Sequence, residues 1–261
     1  MRGDKAGDDY SIISALRQLS LLSVLCGMLG EVGKKMSNTR TLIITEVALA
    51  IALAVVLNLI QIRLPFNFMG GSINLAMLPL AVVALRRGVL SGAVAGGVFG
   101  LLDLLIEPFI LVPIQVLLDY PVPYLLFGAG VGLFSHLYNK YAQEVSSKVT
   151  GGFIAKGSLV IILALVCGGI LRLISHVLSG VFFFAEYAAD FFAEFPTFLL
   201  TGPVDSGLNL WIYSVGYNVM YIVPSLIGTG ICLLIIVPIL AKAVPVRKQR
   251  AEQNKQQATQ P

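Results

Sequence analysis

In this 261-residue chain, three sets of polar side chains interrupt long apolar runs, and their types suit recognition of a cation. Asp119 and Tyr120 stand in PIQVLLDYPVPY. Arg172, His176 and Gly180 follow at four-residue spacing in LRLISHVLSG, which puts them on one face of a helix. Trp211, Tyr213, Tyr217 and Asn218 open the last apolar run as WIYSVGYN. An ionisable side chain inside a membrane span costs at least about 2.5–3.5 kcal/mol, so it marks function by default. Aromatic faces attract cations, by about 2 kcal/mol or more once desolvated, and a nearby carboxylate supplies the full counter-charge. His176 and Asn218 can read ring nitrogens or an amine by hydrogen bonding. The implied ligand is small, flat, cationic and heteroaromatic, and enters from outside.

Structural alternatives exist for each group. Asp119 and Arg172 can pair with each other and hold two helices together. His176 can be a helix–helix hydrogen bond, and Trp211, Tyr213 and Tyr217 can form an interfacial aromatic belt. Phe182 and Phe183 read as packing, with Phe184 a candidate for the pocket. Catalysis is not expected. Ser175 and Ser179 stand near His176, but neighbours i and i+1 diverge on a helix, and no G-x-S-x-G elbow is present. Cys26, Cys167 and Cys232 lack the paired spacing of metal ligands and read as packing residues. No metal or cofactor is expected. GAGVGLF (Gly128, Gly130, Gly132) superficially suggests a nucleotide loop, but no strand precedes it and it lies in a span. No G-x-x-x-x-G-K-[ST] sequence occurs, so if ATP drives transport, another subunit hydrolyses it.

The elements that position these residues follow from composition. Hydrophobic residues make up 57% and charged residues 12%, about half the roughly 25% of soluble domains. That excludes a soluble globule, a disordered chain and a disulfide scaffold. The apolar runs are continuous rather than alternating, so the spans are helices. Six are expected, over about 41–62, 71–86, 88–106, 109–135, 157–182 and 212–241, making an all-α six-helix membrane bundle. With the start of the first span in the cytoplasm, every one of the 18 Lys and Arg residues except Arg63 and Arg172 falls in a cytoplasmic segment. Outer segments carry Asp103, Glu107, Glu186, Asp190, Glu194 and Asp205 instead. Both termini are therefore expected in the cytoplasm of a multi-pass cell-membrane protein. The +4 charge is a topology signal rather than a nucleic-acid footprint.

Residues 1–35 are expected to be a peripheral or poorly ordered extension, with Met36 an alternative start, 36–243 the membrane domain, and 244–261 a disordered polar tail. Gly88, Gly92, Gly96 and Gly100 recur at four-residue spacing, the pattern that lets helices approach closely in lipid. Ala48 and Ala52, with Ala50 and Ala54, give the first span an alanine face suited to packing within the bundle or to docking another membrane protein.

QVLLDYPVPYLLFGAGVGLF, LRLISHVLSGVFFFAEYA, WIYSVGYNVMYIVPS and GGSINLAMLPLAVVALRRG resemble segments of the thiamine-specific substrate-binding (S) component of energy-coupling-factor transporters. The resemblance runs from about Met36 to Ala243. It implies a six-helix subunit that binds thiamine with high affinity in an outward-facing pocket capped by the loop between the first two helices. It further implies a transmembrane T component and two ABC ATPases as partners. The family's pocket carboxylate and tyrosine fall on Asp119 and Tyr120, its basic residue, histidine and glycine on Arg172, His176 and Gly180, and its last-helix pair on Tyr213 and Asn218. Phe184 stands where some members carry tryptophan. Asn74 and Gly70 lie near where some carry a glutamate and a tryptophan. The alanine face that contacts the T component corresponds to Ala48 and Ala52. Residues 64–72, with Gly70 and Gly71, suit a gate. The other readings are an S component for riboflavin or a thiamine precursor, and a stand-alone carrier with Asp119 and His176 as a proton relay.

Overall fold

The computed structural model describes residues 39–63, 70–147, 151–198 and 202–243. The expected extension at 1–35, the alternative start at Met36, the tail at 244–261 and gate residues 64–69 lie outside the described residues. The helices are α1 (Thr39–Leu59), α2 (Met77–Arg87), α3 (Val89–Ile106), α4 (Pro113–Asp119), α5 (Pro121–Gly132), α6 (Ser135–Ser147), α7 (Gly151–Phe183), α8 (Ala188–Glu194) and α9 (Gly207–Ala243). The chain divides into two units at Glu46 and Val47, inside α1. The described part of the first is the opening of α1, and everything below concerns the second.

Among the described residues, five stretches are long and apolar enough to cross a membrane: Arg40–Leu59, Val89–Ile106, Pro113–Gly132, Gly157–Phe183 and Gly207–Ile236. The expected second span, 71–86, differs. Its helix starts only at Met77 and has 11 residues, a rise of about 16 Å at 1.5 Å per residue, half the hydrocarbon thickness. The chain before it is extended. Gly70 and Gly71 take positive φ of 88° and 86°, the left-handed region that glycine tolerates. Ile62 and Ile73 exchange backbone hydrogen bonds of 2.9 Å. The extended run then descends along α9: the Gly70 carbonyl meets Tyr217, Gly71 lies on the Tyr221 ring, and the Asn74 N–H donates to Ser225 Oγ. Extended residues and short helix together replace the second crossing. α2 is buried from Met77 to Leu85 except at Val82, so its apolar run faces protein rather than lipid.

The expected fourth span, 109–135, is also interrupted. Residues 109–112 form a loop, and Tyr120 leaves the helical path with φ −115° and ψ −79° between α4 and α5. Pro121 and Pro123 have no N–H to donate back to the Leu117 and Asp119 carbonyls, and a residue before proline is driven from the α region. Beside them, the Leu118 carbonyl accepts a 2.8 Å hydrogen bond from Ser175 Oγ on α7. The break turns Asp119 and Tyr120 inward.

α3 and α5 pack through the glycine stripe. A Cβ on Gly92, Gly96 or Gly100 would overlap the carbonyl of Gly128, Tyr124 or Tyr120, respectively. On α1, Leu53, Ala54, Leu57 and Asn58 form a buried stripe, whereas Ala48, Ala52, Val56 and Leu59 are exposed. Cys167 and Cys232 are free thiols.

Candidate functional site

A cavity of about 460 Å³ lies between the end of α1, the extended run at 70–74, and the outer parts of α3, α4, α5, α7 and α9. That size falls within the roughly 300–1,000 Å³ of small-molecule sites. All eight residues singled out as substrate-binding candidates line it: Asp119, Tyr120, Arg172, His176, Gly180, Phe184, Tyr213 and Asn218.

Asp119 ends α4 and is held from two sides. Gln115, one turn earlier and 1% exposed, donates to its Oδ2 at 2.5 Å. His176 Nδ1 faces its Oδ1 at 3.6 Å. Gln115 also accepts from the Leu111 N–H and donates to the Phe109 carbonyl, so it ties the carboxylate to the loop at the cavity rim. The Tyr120 hydroxyl donates to the Glu107 carbonyl and accepts from the Phe109 N–H, both at 2.7 Å. Its oxygen is spent on that loop, leaving the ring to the cavity.

Arg172 does not pair with Asp119. Its Nη2 donates to the Tyr124 hydroxyl at 3.1 Å, and its guanidinium carbon lies 4.3 Å from the centre of that ring. Its Nε donates to His176 Nε2 at 3.4 Å. His176 thus accepts on Nε2 and presents Nδ1 to the carboxylate, the arrangement of a neutral imidazole protonated at Nδ1. The nearby serines do not pair with it, since Ser175 bonds the Leu118 carbonyl across the helix interface.

Aromatic rings enclose much of the remaining wall. Phe109 and Phe184 stack at 5.8 Å between centres and 25° between planes. Tyr213, Tyr217 and Tyr221 run down α9 at four-residue spacing, with the Tyr217 hydroxyl on the Gly70 carbonyl. Asn218 donates to the Ser214 carbonyl and accepts from the Tyr221 hydroxyl. Gly180 serves two purposes: it opens onto the cavity, and a Cβ there would collide with Ser214, so its absence brings α7 against α9. Trp211 and Phe182 do not line the cavity and are 43% and 66% exposed. An outward belt position fits Trp211.

Several lining residues escaped the sequence reading. Gln115 could have been found as the polar i−4 neighbour of Asp119. Asp103 lies in a span and met the same cost criterion as Asp119, but was counted with the outer loop charges. It accepts from Asn58 at 2.6 Å, and Asn58 accepts from Asn74 at 2.9 Å. At the rim, Glu107 is bonded by Gln61 and Arg63. The carboxylates of Asp103, Glu107 and Asp119 outnumber the guanidinium groups of Arg63 and Arg172, so the lining favours a cation. Among the described residues, no cluster of His, Cys, Asp or Glu could hold a metal ion.

A family model described as "Thiamine transporter protein (Thia_YuaJ)" matches residues 44–195. The thiamine transporter ThiT of Bacillus subtilis (strain 168) is 31% identical over 203 residues, covering 77% of this chain and 93% of that protein. A second ThiT, from Lacticaseibacillus paracasei, is 31% identical over 150 residues, 56% of this chain and 63% of the relative. A solved structure of ThiT from Listeria monocytogenes superposes with a TM-score of 0.62 at 25% identity, covering 78% of this chain and 99% of the other.

Proposed function

The chain belongs to the thiamine transporter family, and from that premise we propose that its cavity captures thiamine with Asp119 as counter-charge and that it works as the S component of an energy-coupling-factor transporter. The protein is a multi-pass membrane transporter of thiamine and not an enzyme. One observation carries the assignment of the site. Asp119 stands on the cavity wall among aromatic rings, bonded by an amide and facing an imidazole, with no guanidinium or ammonium group of the described residues on it. Thiamine brings a permanently cationic thiazolium, an aminopyrimidine and a hydroxyethyl arm. A carboxylate poised without a protein cation gives such a ring its opposite charge without first breaking an ion pair.

In this reading Asp119 balances the thiazolium, and His176, Tyr213 and Asn218 orient the rings. Tyr120 and Phe184 supply aromatic walls, Arg172 orients His176, and Gly180 leaves room for the ligand. The left-handed glycines at 70 and 71 give the rim a hinge where the chain enters the cavity wall. An uncharged flavin would leave Asp119 without a purpose, which weighs against a riboflavin carrier.

Without a P-loop, the chain needs energy from elsewhere. The partners are a transmembrane T component and two ABC ATPases, and the docking face is the exposed side of α1 with Ala48 and Ala52. Small side chains there permit the close helix contact that drives association in lipid. Replacing Ala48 or Ala52 with Trp is expected to leave thiamine binding within about twofold while cutting uptake by roughly tenfold or more, because the ligand site lies elsewhere in the bundle. Radiolabelled uptake in cells with and without the T component and ATPases, beside a binding titration, measures both quantities. Undiminished uptake without those partners would establish the stand-alone carrier instead.

A further inference from the structure

Arg172 is a cation inside a span, only 5% exposed, and a buried guanidinium needs a counter-charge. Of the three carboxylates that line the cavity, Asp119 is the nearest in sequence, yet the Arg172 Nη2 bonds Tyr124 instead. On that side lies Asp103 of α3, one turn beyond Phe99, whose ring packs edge-on against Tyr124 at 4.6 Å between centres, and Asp103, Tyr124 and Arg172 line the same cavity. Asp103 is braced from behind. Its Oδ1 accepts from Asn58 Nδ2 at 2.6 Å, Asn58 Oδ1 accepts from Asn74 Nδ2 at 2.9 Å, and Asn74 Oδ1 accepts from the Ala76 N–H at 3.0 Å. The carboxylate is thereby fixed by helices α1 and α3 and by the lead-in to α2.

We propose that Asp103 is a positioning residue for charge recognition: it neutralises Arg172 across Tyr124 and so keeps Asp119 free to meet the cationic ring of the substrate. The two cavity carboxylates divide the work, one for the protein's own cation and one for the ligand's. The inference rests on the reading of this cavity as the thiamine site. Its physical consequence is specific. Without Asp103 the cavity becomes more positive by one charge, and Arg172 is drawn toward Asp119, from which only His176 separates it along the chain of contacts. Binding of a cation then suffers twice, whereas an uncharged ligand of the same shape is spared the charge effect.

The experiment measures the affinity ratio of thiamine to an isosteric analogue in which an uncharged thiophene replaces the thiazolium. The purified full chain is titrated as wild type, D103N, D103E and D103N/R172Q. Wild type binding thiamine tests the underlying reading by itself; the ratios among variants test the role of Asp103. D103N is expected to lower the ratio by about tenfold, and D103E, which keeps the charge, to hold it within about threefold of wild type. D103N/R172Q, with both charges gone, is expected to return to within about threefold as well, even where absolute affinities fall. Equal loss for both ligands in D103N would reduce Asp103 to a packing role and overturn the proposal, as would a double variant no better than D103N. Should D103N fail to fold, R172Q is compared with D103N/R172Q. The single variant, with Asp103 unbalanced, is expected to favour the cation at least about threefold more, and equal ratios would overturn the proposal.

Discussion

The α3–α5 seam and the cavity beside it occupy the same bundle but are built on opposite principles. Along the seam, side chains are deleted: Gly92, Gly96, Gly100 and Gly128 let backbones meet where any Cβ would overlap a carbonyl. Around the cavity, many side chains are large and polar, and several of their polar groups are committed to named partners. Tyr120 holds the 107–109 loop, Gln115 holds Asp119, Tyr217 holds Gly70, and Asn218 joins Ser214 to Tyr221. In lipid, where apolar burial between helices gives little driving force, close backbone contact supplies stability. A void is kept open only when rigid rings and satisfied hydrogen bonds prop it. The two regions share a helix pair, since α5 carries Gly128 on the seam and Tyr124 at the cavity, so the tight contact is the footing of the open one.

That contrast can be broken from either side. The largest effect is expected at the seam: Gly96→Leu would drive a branched side chain into the Tyr124 backbone, and overpacking of this kind costs about 3 kcal/mol or more when a main chain must move. Thermal unfolding in detergent should show a clear loss of stability, or no monodisperse protein at all. An unchanged melting temperature would mean that α3 and α5 do not depend on bare backbone contact. A change to the aromatic wall should instead spare the fold and weaken the ligand. Phe184→Ala removes the ring stacked on Phe109, and with a desolvated cation–π contact of about 2 kcal/mol at stake, thiamine affinity is expected to fall roughly ten- to thirtyfold by calorimetry. The smallest effect belongs to Trp211→Phe. That side chain faces outward from the cavity, and affinity should stay within about twofold. A larger loss there would place the ligand nearer the start of α9 than the cavity does.

What could be read in advance divides along the same line. Asp119, Arg172 and His176 stood out because a polar group in an apolar run is expensive whatever surrounds it. The glycine stripe was legible because its four-residue period is itself the packing geometry. That Arg172 bonds Tyr124 and His176 rather than Asp119 was not legible, since only the folded geometry shows where the guanidinium turns. Nor was the start of α2. Gly70–Ala76 carries Ile73, Leu75 and Ala76 straight into the apolar run of α2, and its extended path depends on two left-handed glycines and on the ladder of contacts with α9. The break at Tyr120 was signalled by Pro121 and Pro123, but a continuous apolar run masked it.

In the proposed mechanism, the carboxylate at the α4–α5 break is the counter-charge for thiamine. Titrating thiamine into detergent-purified wild type and Asp119→Asn protein, with thermal stability recorded for both, tests it most directly. Truncating one partner of a desolvated charge pair costs about 2 kcal/mol or more, so the folded Asp119→Asn protein is expected to bind thiamine at least about thirtyfold more weakly. Equal affinity in the two folded proteins would contradict it.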